Sequence, residues 1–292
     1  MKFNSSYHPK SFLPKLIMGK VFYGLFKTPY KKGDLLVLNY HSTPEWLMAE
    51  FENQVRFFSE HFNIVSPDWL ETFYEGGNAA PVNDKPSVLF TFDDGLKNNK
   101  HAALVLEKYN ARGIFFLVPE FYGSPADIQQ DYYLKNIRNQ VNYNIDTGTS
   151  DVTALSVDEI STLLRSGHRV GCHSLTHTMN RNDDAIKQVS EIVKSKELLE
   201  KQFNIPVVDF CAPFDSLRST SKDQMKLIRE NYKFFHATFP GSNSVLPDPF
   251  FIRRTNVECW WPLDVIKFAL SDFEWSRWKP KRELFRKEVV GE

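Results

Sequence analysis

The sequence predicts an α/β fold, and two observations carry that reading. Short apolar runs alternate with longer amphipathic stretches from residue 34 onward. Polar groups suited to chemistry follow directly after several of those runs. Alternation of this kind implies mostly parallel strands joined by right-handed crossovers. Roughly six or seven such units in one sheet favour a closed barrel over an open sheet, with chemistry at the carboxyl ends of the strands.

The first strand is Leu35–Tyr40 (LLVLNY). A helix is predicted over 45–62, where Trp46, Phe51, Val55, Phe58 and Phe62 recur at helical spacing. Ser87–Phe92 reads as a strand, 97–110 as a helix and 113–118 as the next strand. Residues 122–154 are polar and irregular and read as an insertion between elements. A helix follows over 156–166, with Ser156 as N-cap, Glu159 completing a capping box and Gly167 as the stop. Beyond it come a strand at Arg169–Cys172, a mixed-charge helix over 185–203, a strand at 207–211 and a helix at 221–231. Strands at 234–238 and 250–254 and a helix near 263–270 complete the pattern. The reading is of a single domain over 34–292, preceded by a basic amphipathic segment, 1–33.

That segment holds seven lysines and no acid. Lys15 and Lys20 interrupt its apolar run, and no small-residue cleavage site follows, so it does not read as a signal peptide. It is too short and too charged to span a bilayer. Residues 10–32 fit either a peripheral contact with an anionic membrane surface or a helix packed on its own domain. Without an evident export signal, the expected location is the cytoplasm, with the inner membrane face as a variant of it. Lysine plus arginine equals aspartate plus glutamate, 36 each, so nothing suggests a nucleic-acid partner. Three cysteines, Cys172, Cys211 and Cys259, give no disulfide framework and read as buried thiols.

After the strand Ser87–Phe92 comes Asp93-Asp94-Gly95. Asp-Gly is a common turn pair, so a solvated turn is one reading. The other is two carboxylates delivered to one site as the chain turns. After Arg169–Cys172 comes His173-Ser174-Leu175-Thr176-His177, two imidazoles four residues apart. One histidine could cap and the other lie on the surface, but this spacing also suits a divalent ion. Together the segments supply two histidines and an aspartate with coordination positions to spare, the ligand count of a catalytic metal. The second carboxylate would then serve as general base. Two further strands end in Ala212-Pro213-Phe214-Asp215 and in His41.

Thr91–Gly95, the run Gly167-His168-Arg169-Val170-Gly171-Cys172-His173-Ser174-Leu175-Thr176-His177, and Pro213-Phe214 resemble, in order and spacing, the motifs of the polysaccharide deacetylase family, the nodulation-deacetylase homology domain. The likeness covers about residues 35–257. It implies a distorted (β/α)7 barrel that hydrolyses N-acetyl groups on amino sugars. It assigns Asp93 as base, Asp94, His173 and His177 as ligands of one divalent ion, and the backbone N–H of Phe214 as an oxyanion donor. Zinc is the usual ion in the family; some members use cobalt, nickel or iron.

Two departures matter. The family's usual C-terminal Leu-x-His, source of the general acid, is missing: no histidine follows His236. One branch, the poly-N-acetylglucosamine deacetylases, is circularly permuted, and Leu38-Asn39-Tyr40-His41 resembles its first-strand segment. His41 is therefore the candidate acid, against a structural histidine at a strand end. The second departure is Cys211, where many members carry the arginine that orients the base. Arg254 is the candidate substitute and Arg253 the alternative, since strand alternation turns only one of them inward. Ala212 replaces a bulkier residue common at its position. Trp260, Trp261, Trp275 and Trp278 suit either sugar stacking or the core. His168 is expected to orient its loop, and His101 and His236 to be structural. The substrate expected is an N-acetylated amino sugar in a glycan or glycan precursor. Hydrolysis of a linear or cyclic amide, or a non-catalytic role on the same barrel, are the competing readings.

Overall fold

The chain's computed structural model describes residues 30–74, 84–138, 152–243 and 248–291. Its strands are β1 (Leu35–Tyr40), β2 (Asn63–Ile64), β3 (Ser87–Phe92), β4 (Gly113–Leu117), β5 (Arg169–Cys172), β6 (Asp209–Cys211), β7 (Phe234–Ala237), β8 (Ser242–Asn243) and β9 (Ile252–Asn256). Strands β1, β3, β4, β5, β6, β7 and β9 pair in parallel in that order, and β9 returns to β1. The sheet is thus a closed seven-stranded parallel barrel, with β2 added beside β3 and β8 antiparallel to β1. The N-terminal β1 fills the gap between the C-terminal β9 and β3, as Leu38 opposite both Thr255 and Phe90 shows. The barrel is irregular at the β5–β6 seam, where Cys172 faces Phe210 as a single pair.

Closure explains the composition of the strands. Both faces are covered, so β1 and β3 are buried along their whole length and read as continuous apolar runs. Alternate residues Leu35, Val37, Leu89, Ile114, Phe116, Phe234 and Ile252 cluster inside the barrel. Leu36, Leu38, Tyr40, Val88, Phe90, Phe92 and Phe115 pack outward under the helices. Helix α1 (Met48–His61) contributes Phe51, Val55 and Phe58 to that outer layer, α2 (Asn99–Lys108) Ala102 and Leu106, and α3 (Val157–Arg165) Ile160 and Leu163. Each large side chain so buried stabilises the fold by about 1.5–3 kcal/mol. The predicted capping box at Ser156 and Glu159 is formed. Gly171 is required by packing, since a Cβ there would lie 2.5 Å from the Phe116 ring.

Three departures from the expected elements have a clear local cause. The last strand starts at Ile252 rather than 250, because Asp248 folds the preceding residues into a turn: its side chain accepts the Phe250 N–H at 2.8 Å and its carbonyl the Phe251 N–H at 2.9 Å. Strand β6 starts at Asp209 rather than 207, because the Val207 N–H is taken by the Glu200 carboxylate at 2.9 Å. The expected insertion is partly helical, at Gln129–Tyr132 and Tyr133–Ile137. Its aromatic residues provide the anchor: Tyr132 stacks on Phe121 at 5.5 Å, and its hydroxyl donates to the Thr176 carbonyl at 2.8 Å. Residues 139–151 of that insertion lie outside the described residues, as do residues 1–29 of the basic N-terminal segment. Among the described residues no helix is long and apolar enough to cross a membrane.

Candidate active site

The carboxyl ends of β1, β3, β5, β6 and β9 meet at one cavity of about 370 Å³. Beyond β3, Asp94 and Gly95 both have positive φ, 74° and 67°, and this left-handed turn brings the adjacent Asp93 and Asp94 into the same pocket. Ser174, His177 and Phe214 also have positive φ. Backbone of this kind costs energy in non-glycine residues and persists where the surroundings fix it. Here Glu191, itself buried, does much of the fixing: its carboxylate accepts the Leu175 and Thr176 N–H groups at 3.0 and 3.1 Å and the Thr176 hydroxyl at 2.6 Å.

Asp94, His173 and His177 are all buried and converge. Asp94 Oδ1 lies 3.5 Å from His173 Nε2 and 3.2 Å from His177 Nε2. The other ring nitrogens face carbonyl oxygens, His173 Nδ1 that of Cys211 at 2.8 Å and His177 Nδ1 that of Asn136 at 3.0 Å. A carbonyl only accepts, so each Nδ1 carries a hydrogen, and Nε2 is the ring nitrogen that can exchange its hydrogen for a cation. The electrostatics agree. Burial raises Asp94, but hydrogen bonds from His173 and His177 hold it well below the usual carboxylate range. Burial lowers His173, yet Cys211, Asp93 and Asp94 carry it well above the usual imidazole value. The site therefore draws in positive charge, and a divalent ion fits its donors.

Asp93 lies 4.0 Å from His173 Nε2, but its main partner is another residue. Arg254 Nη1 donates to its Oδ1 at 2.7 Å and Nη2 to its Oδ2 at 3.0 Å, a bidentate pair buried at both ends. Burial raises Asp93, but Arg254 and then His173 bring it below the usual carboxylate range. The guanidinium is itself held by Asn39 Oδ1 at 3.3 Å, Thr91 Oγ1 at 3.2 Å, Cys211 Sγ at 2.6 Å and the face of Phe116 at 5.3 Å. Of the two candidate arginines, Arg254 is the one that points inward. Arg253 points away: its side chain packs by Gly241, and burial followed by Arg282 lowers it to about 10. Cys211, where many members of the family carry an arginine, leaves the space that Arg254 enters from β9, two strands along the barrel.

His41 lines the same cavity from the end of β1, and its Nδ1 is buried with no hydrogen-bond partner among the described residues. Its charge bears on Asp93, Asp94 and the half-buried Glu258, an acid raised mainly by desolvation. The Phe214 ring packs edge-on to His177 at 4.5 Å. Of the four tryptophans, Trp261 and Trp278 line the cavity and Trp260 does not. Trp275 is core, its Nε1 donating to the Ala269 carbonyl at 2.9 Å. His168 sits behind the site, where its Nδ1 accepts the Gly113 N–H at 3.0 Å. His236 is buried against Asp209 at 2.7 Å, and all three cysteines are buried and free. Asn39, Thr91, Asn136 and Glu191 were not anticipated as supports. Asn39 and Thr91 stand inside the quoted strand motifs, and Glu191 inside a predicted helix, but nothing in those segments announces the contacts.

The family model for polysaccharide deacetylase matches residues 80–230, just over half of the chain. That span contains Asp93, Asp94, His173, His177 and Phe214 and leaves His41 and Arg254 outside. No curated protein matches. Among solved structures, the chain is similar to the deacetylase PplD of Streptococcus pyogenes, in complex with acetate, at 18% identity over 82% of this chain and 99% of that one, with a TM-score of 0.62. It is similar to IcaB of Ammonifex degensii at 18% identity over 84% and 98%, TM-score 0.61. It is also similar to the BpsB deacetylase domain of Bordetella bronchiseptica at 16% over 77% and 96%, TM-score 0.58. At these identities the likeness is one of fold. The family match reaches further, and with the barrel and its paired motifs it leads to one conclusion: this chain belongs to the polysaccharide deacetylase family.

Proposed function

We propose that the chain is a metal-dependent N-deacetylase that hydrolyses the acetamide of an N-acetylhexosamine within a glycan or glycan precursor. The observation that carries the proposal is the pairing of two adjacent carboxylates in different roles. Asp94 faces two imidazole nitrogens, at 3.5 and 3.2 Å, while Asp93, 4.0 Å from His173 Nε2, is gripped through both its oxygens by Arg254. A divalent ion held by Asp94, His173 and His177, zinc being the expected one, would supply Lewis acidity toward water and the acetyl carbonyl.

The chain's own groups divide the remaining work. Asp93, ionised and fixed by Arg254, accepts the proton of the attacking water. The Phe214 N–H donates to the oxyanion that develops on the carbonyl oxygen. The His41 imidazole delivers a proton to the departing amine. Trp261 and Trp278 supply apolar surface to the sugar face. The chain order, with the acid on the first strand and the base-holding arginine on the last, supports the circularly permuted branch of the family.

Release of acetate from short N-acetylglucosamine oligomers by protein reconstituted with zinc, cobalt, nickel or iron(II) tests the proposal. Turnover that needs the ion supports it. Turnover of linear or cyclic amides in place of the sugar would move the substrate to the competing class.

A further inference from the structure

A second cavity, of about 220 Å³, adjoins the catalytic one, and His177 and Phe214 line both. The two differ in charge. Asp93, Asp94 and Glu274 line the catalytic cavity, whereas no carboxylate lines the second among the described residues. Lys135 from the turn Tyr133–Ile137 and Arg218 from the helical turn Ser216–Ser219 both face it. Both are exposed, and neither side chain has a hydrogen bond or ion pair among the described residues. Thr178 and Asn180 add polar wall. Acids on adjoining segments are already engaged. Asp183 accepts the Asn180 N–H at 2.7 Å and pairs with Lys187 at 3.1 Å, and Asp215 accepts the Leu217 N–H at 3.0 Å and pairs with Lys281 at 3.2 Å. In a chain whose charges balance, two unpaired cations in a polar concavity beside a reaction centre form a local excess.

We propose that this cavity binds an anionic group of the substrate, a phosphate or carboxylate carried by the acetylated sugar or by its neighbour. The inference rests on the deacetylase reading and narrows it from amino sugars in general to anionic ones. Lysine offers such a group a point charge and arginine a fork of donors, and charge-assisted hydrogen bonds of this kind are the strong ones. The shared His177–Phe214 wall makes the two cavities neighbouring stations for one ligand: the acetamide faces Asp94 while the anion lies beyond Phe214.

The test compares wild type with the Lys135→Gln/Arg218→Gln double variant at equal metal content. Three probes are used: N-acetylglucosamine 1-phosphate, a short hyaluronan oligomer and neutral chitotriose. Binding is read by calorimetry and turnover by acetate release, each at low and high salt. The expected result is that wild type prefers at least one anionic probe, the phosphate and carboxylate arms identifying which. The ratio of anionic to neutral affinity and of kcat/KM then falls about tenfold in the double variant and shrinks with salt. Anionic binding that is unchanged in the double variant, with chitotriose still turned over, would overturn the cavity assignment and keep the deacetylase reading. Anionic binding lost in the double variant, with no probe turned over by wild type, would uphold the cavity and overturn the deacetylase reading.

Discussion

Replacing Arg254 by methionine keeps the volume of the side chain's stem and removes its charge. Arg254 and Asp93 are 1% and 3% exposed, so the variant leaves a carboxylate buried without its cation. Removing one partner of a buried pair costs about 3–5 kcal/mol. Asn39, Thr91, Cys211 and the Ala237 carbonyl lose a donor as well, which places the expected loss at the upper end of that range. A domain stable by about 5–15 kcal/mol remains folded but unfolds at clearly lower denaturant. Urea unfolding of the metal-free protein, with an unchanged m-value, reads the loss. Adding Asp93→Asn removes the stranded charge, so the double variant should recover at least about 2 kcal/mol relative to the sum of the singles. Activity follows a second course. With Arg254 gone, burial acts on Asp93 with less opposition, its pKa rises, and the acid limb of the kcat/KM profile moves to higher pH. An Arg254→Met protein within about 1 kcal/mol of wild type, or an additive cycle, would mean that Arg254 and Asp93 do not form a coupled buried pair.

Three further expectations are independent of that pair. His41→Asn should lower kcat by about 10²–10⁴-fold with metal content unchanged, measured by acetate release and metal analysis; full activity would remove His41 from the reaction. Glu191→Gln should weaken metal affinity about 10–100-fold, measured by competition with a chelator, because the loop bearing His177 loses its anchor. His168 titrates against stability: burial lowers it to about 4, despite the nearby Glu107, while the unfolded ring takes its proton near 6.5. The unfolded state thus binds more protons between those values, so stability falls by about 3 kcal/mol as pH drops through that window and rises again with pH. His168→Asn, which keeps an acceptor for the Gly113 N–H, should flatten the profile in a pH series of urea melts.

Strand–helix alternation was enough to place seven barrel strands, because apolar runs buried on both faces and capped amphipathic helices are signals carried by neighbouring residues. The motifs around Asp94, His173 and His177 were legible for the same reason: the chain turns sharply at Asp93–Gly95 and at His173–His177, so each group is written in consecutive letters. What the sequence left open was set across the barrel. Whether Arg253 or Arg254 reaches Asp93 depends on the register of β9, which starts two residues later than the apolar run suggested because Asp248 makes a turn first. Asn39 and Thr91 support Arg254 from two other strands, and no spacing within one segment announces that. The anchoring of His177 by the Asn136 carbonyl depends on a helical turn inside what read as an irregular insertion.

Whether the adjacent aspartates do different jobs is decided by metal content measured beside turnover in two variants. Asp94→Ala should lose stoichiometric metal and activity together. Asp93→Asn should hold the ion at wild-type stoichiometry while losing most turnover. Full metal in Asp94→Ala, or wild-type turnover in Asp93→Asn, would contradict the division of roles drawn from the geometry at the end of β3.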